Sequence, residues 1–68
     1  MSLFDYRIAR QLFHNDVPFY ALIMAAIMRA DTRNSAKLRA AWPDVWAETQ
    51  ARYDAPGALL EGETEPAA

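Results

Sequence analysis

The sequence predicts an all-α fold: a small bundle of three to four short helices, completed by oligomerisation. Three observations carry that expectation. Apolar residues recur at helical spacing, first at Phe4, Ile8 and Leu12. Clusters of Asp, Asn, Ser, Pro and Gly divide the chain into short segments. One of those segments, Val17 to Ala30, is apolar on every side, more than a few short neighbours can enclose.

The first helix is expected at about residues 3–14. Ser2 followed three residues later by Asp5 resembles a capping box with Asp in place of Glu. Arg7, Arg10 and Gln11 fall away from the apolar stripe, and His14 suits the negative end of the helix dipole. His14-Asn15-Asp16 breaks the pattern. Asp16 reads as an N-cap and Pro18 as a first-turn residue, which places a second helix at 17–30.

Asp31 to Ser35 reads as a turn rich in capping residues, with Ser35 as a cap and a third helix from about Asn34 to Ala41. Leu38, Ala41, Trp42, Val45, Trp46, Thr49 and Tyr53 keep one helical phase, with Pro43 in their midst. A proline there favours a fresh start, so a further helix is expected at 43–53, nearly coaxial with 34–41. A single kinked helix is the close alternative. Trp46 and Tyr53 are expected in the core and Trp42 partly exposed. Asp54-Ala55-Pro56-Gly57 ends the helical domain, residues 1–57. Residues 58–68 form an acidic tail in which Leu59 and Leu60 hook back onto the body.

Length and composition bound the rest. A chain of 68 residues builds a core worth roughly 3–5 kcal/mol and usually needs a staple. There is no Cys and a single His, so neither a disulfide nor a structural zinc site is available. Self-association is the remaining route. Phe19, Tyr20, Ile23, Met24, Ile27 and Met28 are the expected oligomer interface, with Ala21, Ala25 and Ala26 allowing close backbone approach. The longest apolar run, Val17 to Met28, falls short of the roughly 20 residues that span a bilayer. The expectation is a cytoplasmic chain with no membrane partner.

Charge and chemistry narrow the function. The net charge of −2 divides into a mildly basic body and an acidic end, since Asp54, Glu61, Glu63 and Glu65 lie beyond every basic residue. Nucleophilic catalysis needs a nucleophile, a base and an orienting group. Ser2, Ser35 and His14 read as helix-terminal residues instead, and Asp44 and Glu48 as a solvated first turn. The chain is therefore expected not to be an enzyme and to use no cofactor. Arg29, Arg33, Lys37 and Arg39 flank the turn between the second and third helices, with Trp42 close behind. They are a candidate site for a small anion such as a nucleotide, with Trp42 stacking a base. An ordinary solvated turn with Asp31 as counter-charge is the plainer account. A sequence pI of about 5.1 argues against nucleic acid as a partner.

Asp16-Val17-Pro18-Phe19-Tyr20-Ala21-Leu22, Trp42-Pro43-Asp44-Val45-Trp46-Ala47-Glu48 and Arg52-Tyr53-Asp54-Ala55-Pro56-Gly57 together resemble a family of short helical proteins encoded by phages and prophages. The resemblance covers about residues 16–57 and carries no catalytic motif. It implies an accessory phage protein in the host cytosol that binds and blocks a host target such as a defence component. Two mechanisms stay open within that class. One is a protein–protein inhibitor using the aromatic and Met surface. The other is a sponge for signalling nucleotides using the basic residues. A structural or assembly protein of the phage particle is the alternative, followed by a small DNA-binding regulator.

Overall fold

The computed structural model describes residues 1–65. Within them the chain forms four helices, α1 (Leu3–His14), α2 (Phe19–Arg29), α3 (Thr32–Ala41) and α4 (Pro43–Asp54), then a 3₁₀ turn at Pro56–Ala58. There is no strand among the described residues. The part of the expected tail at 66–68 lies outside them.

The helix ends follow local chemistry. Ser2 Oγ accepts the Asp5 backbone N–H at 3.1 Å and donates to Asp5 Oδ2 at 3.0 Å, which fixes the start of α1 as expected. The start of α2 differs from expectation. Asp16 does not cap it. Its φ of 53° places it in the left-handed region, which Asp tolerates better than most residues, and it makes the turn instead. Pro18 (φ −58°, ψ 145°) is itself the boundary residue, so α2 begins at Phe19 rather than 17. It ends at Arg29, because Ala30 is already extended.

α3 begins at Thr32, two residues before the expected Asn34. The reason is that Asp31, not Ser35, is the cap: Asp31 Oδ1 accepts the Asn34 N–H at 2.8 Å. Pro43 then separates α3 from α4. The proline ring crowds the backbone of the residue before it, and Trp42 leaves the helical region at φ −135°, ψ 61°. Residue 42 is the whole joint between two helices, and the single kinked helix is not formed.

The two helices are not coaxial either. At 1.5 Å per residue, an end-to-end arrangement would hold residues eleven apart at about 16 Å. Yet Trp46 Nε1 donates to Ser35 Oγ at 3.0 Å. The chain therefore bends at Trp42, and the first turns of α4 come back against α3. α4 also packs on α2, and α2 meets α3, so these three helices form the body. Ile27 of α2 and Thr49 of α4 are its interior, each 3% exposed. The Thr49 hydroxyl donates to the Val45 carbonyl at 2.7 Å, which satisfies a buried polar group. Leu22, Ile23, Met24, Leu38, Val45 and Trp46 are half-buried around this pair.

Tyr53 departs from the core position expected of it and is 73% exposed. It lines a groove together with Ala30, the residue at which α2 has already ended. Leu59 and Leu60 are half-buried, in keeping with the expected hook.

α1 packs against none of the other helices. The molecule is accordingly long and flat, 42 × 31 × 16 Å. Phe4 and Phe13 are 71% and 74% exposed, and Leu3, Tyr6, Ile8 and Leu12 are also open to solvent.

Ser35→Ala should lower the stability of the body by about 1 kcal/mol, because the half-buried Trp46 N–H loses its partner. Denaturant unfolding monitored by circular dichroism measures this. The same change made in a Trp46→Phe background should cost much less.

Candidate partner-binding groove

The bend at Trp42 brings the start of α4 against α2 and leaves a groove between them. Phe19 and Tyr20 stand in the first turn of α2, and both rings meet Trp42 edge to face. The centroid distances are 5.8 Å for Phe19 and 6.2 Å for Tyr20, with 5.3 Å between Phe19 and Tyr20. This three-ring cluster ties the joint to α2. Beside it opens a groove of about 580 Å³. Half-buried Met24, Trp42 and Val45 form its floor and exposed Tyr20 its side. Asp44 and Glu48, both exposed, line its rim. The floor is apolar and the rim negative.

The proposed interface residues do not share one face. Ile27 is taken up by the body's own interior. Phe19, Tyr20 and Met28 are each 57% exposed. Tyr20 and Met24 border the α2–α4 groove, whereas Met28 lies by Tyr53 and Gln50 at the other end of α2.

The basic residues do not converge. Arg29 and Lys37 line an open groove between α2 and α3 together with Asp31, a carboxylate that opposes an anion there. Arg39 is engaged elsewhere, its guanidinium 4.7 Å from the centre of the Trp46 ring. Arg33 is exposed and borders neither groove. Trp42 faces the α2–α4 groove, away from Arg29 and Lys37. Sequence spacing had placed these five within one turn's reach, but the fold distributes them over different surfaces.

Arg52 is a hub that sequence reading passed over. Its Nε donates to Glu48 Oε2 at 3.0 Å. Its Nη1 donates to the Ala58 carbonyl at 2.8 Å and Glu63 Oε1 at 2.7 Å, and its Nη2 to Glu63 Oε2 at 2.9 Å. The fork grips the Glu63 carboxylate with both arms. Glu63 Oε1 also accepts the Leu60 N–H at 2.8 Å. These bonds, from Arg52 first and Leu60 second, favour the ionised form and hold the Glu63 carboxyl at about 2. The bonds to Glu63 first and Glu48 second raise the Arg52 guanidinium above its ordinary value. The Glu48–Arg52 half was legible as an i,i+4 pair of opposite charge. Glu63 was not, because its approach depends on the 3₁₀ turn and on Gly57 and Gly62, both at positive φ.

His14 stays at the end of α1, where Arg10 Nη2 approaches its Nε2 at 3.4 Å. Among the described residues no three His, Asp or Glu side chains are grouped as a metal site requires, and no helix is long and apolar enough to cross a membrane. The chain matches no protein-family model, no curated protein and no solved structure.

Because the Glu63 carboxyl is lowered from 4.5 to about 2 on folding, its clamp stabilises the tail above pH 4.5 and is lost as pH falls through 2. An NMR titration of the Glu63 carboxyl should show the low value in the native chain. Arg52→Ala should return it towards 4.5.

Proposed function

We propose that this chain is a non-enzymatic binding module that receives the apolar face of an amphipathic helix of a protein partner in the α2–α4 groove. The observation that carries the reading is the uncovered floor of Met24, Trp42 and Val45 beside the Phe19–Tyr20–Trp42 cluster, rimmed by Asp44 and Glu48. An amphipathic helix laid into an apolar groove is a recurrent mode of recognition, and such grooves bind through aromatic anchors. Methionine on the floor adapts to the shape of what enters. The acidic rim favours a helix with basic residues flanking its apolar stripe.

In the phage setting implied by the resemblance, such a module acts by occupying its target stoichiometrically in the host cytosol. A host defence component blocked in this way is the role that fits best. The scattering of the basic residues weighs against the nucleotide sponge: Arg39 lies over the Trp46 ring, and Asp31 lines the same groove as Arg29 and Lys37.

Affinity capture from host lysate with the native chain should retain one protein at one-to-one stoichiometry. Tyr20→Lys, a substitution at an exposed groove residue, should abolish capture, whereas Arg33→Glu should leave it unchanged. A nucleotide that raises the melting temperature, with the shift lost in Arg33→Glu, would overturn the reading.

A further inference from the structure

We propose that the α2–α4 groove is filled by α1 of a second copy, so that two chains exchange their α1 helices reciprocally in a twofold dimer. The inference rests on the reading of the groove as a helix acceptor and names the helix that holds it until a target helix displaces it.

Each chain carries two apolar surfaces that it leaves uncovered. One is the groove. The other is α1, where Phe4, Ile8 and Leu12 follow at successive turns with Ala9 and Phe13 alongside. All of them are exposed. Within one chain the two surfaces do not meet, because α1 is turned away from its own body. Asp16 at φ 53° and Pro18 at φ −58° set the direction in which α1 leaves. A short connection that points a helix away from its own groove is the ordinary setting for exchange between identical chains.

Charge selects the same partner. The groove presents Asp44 at its rim, with Glu48 beside it, one of whose carboxylate oxygens is held by Arg52 at 3.0 Å. The polar side of α1 presents Arg7 and Arg10. The acid of α1, Asp5, is already engaged by the Ser2 hydroxyl. A helix with arginines flanking an apolar stripe is the complement of an apolar floor with a carboxylate rim. Size agrees as well. Phe4, Ile8, Leu12 and Phe13, with on the order of 100 Å² uncovered on each, give roughly 400 Å² per copy. Two such docks, with the groove surface they cover, exceed the roughly 1,200 Å² that a stable dimer needs.

Light scattering and sedimentation at tens of micromolar test the exchange. The native chain should have twice the monomer mass. A helix variant, Arg7→Glu with Arg10→Glu, and a groove variant, Asp44→Lys with Glu48→Gln, should each dimerise at least tenfold more weakly. An equimolar mixture of the two should recover the dimer, because each acidic helix then meets a groove whose rim is no longer acidic. That recovery also shows that both variants fold. A monomeric native chain overturns the proposal, and so does a dimer that neither variant weakens or that mixing fails to restore. Binding of the monomer to phosphatidylglycerol vesicles would assign α1 to a lipid surface instead. If the native chain is monomeric but still loses its captured host protein on Tyr20→Lys, the groove reading survives and the exchange alone fails. If capture is insensitive too, both fall.

Discussion

Pro43 denies the residue before it the helical conformation, and the body depends on the turn made there. Trp42 swings out to φ −135°, the chain bends sharply there, and the Trp46 indole reaches Ser35. A continuous helix through this point would be a rod some twenty residues long with its apolar stripe facing water. With the bend, one turn of backbone is exchanged for three helices in mutual contact. Thr49 reaches the interior opposite Ile27, Arg39 lies on the Trp46 ring, and Trp42 is left where Phe19 and Tyr20 can close on it.

That same bend creates the groove. Because the joint is a single residue, the first turn of α4 begins beside α2 with no loop to shield it. Asp44, the acid in the first turn of α4, is favourable near a helix N-terminus for reasons of dipole alone, and here it also sets the sign of the groove's rim. One carboxylate thus stabilises the helix start and gives the neighbouring surface negative charge. At the far end of α4, Glu48 is shared with Arg52, which carries the clamp on Glu63. The two ends of the site are joined along one helix face.

Helix type and order were legible in the sequence, because periodicity and breakers report the chain's own local preferences. Ser2 and Asp5 announced α1, and Pro43 announced the division of α3 from α4. Ambiguity entered where one residue type serves two purposes. Asp16 and Asp31 are equal N-cap candidates on paper, but the left-handed φ of Asp16 spends it on a turn while Asp31 caps. Ser35 looked like a cap and is the acceptor of an indole. What no local pattern carries is direction. Coaxial and bent arrangements of α3 and α4 share every periodic position, and the choice between them decides whether the basic residues gather or scatter. The tail clamp was hidden for the same reason: a pair eleven residues apart, across a turn with two positive-φ glycines, has no one-dimensional signature.

The isolation of α1 has a thermodynamic side. A helix of this length with no neighbour is marginal in water, since packing rather than propensity holds most helices together. Its amides belong to the low end of the protein's local stability and should exchange with solvent far faster than those around Ile27 and Thr49. Whatever covers α1 therefore also folds it, and part of the contact energy is consumed in ordering the backbone. The result is an association weaker than its area implies, quick to release and steeply dependent on concentration. For the exchange proposed above, a half-committed helix is a graded control on occupancy built into the first fourteen residues.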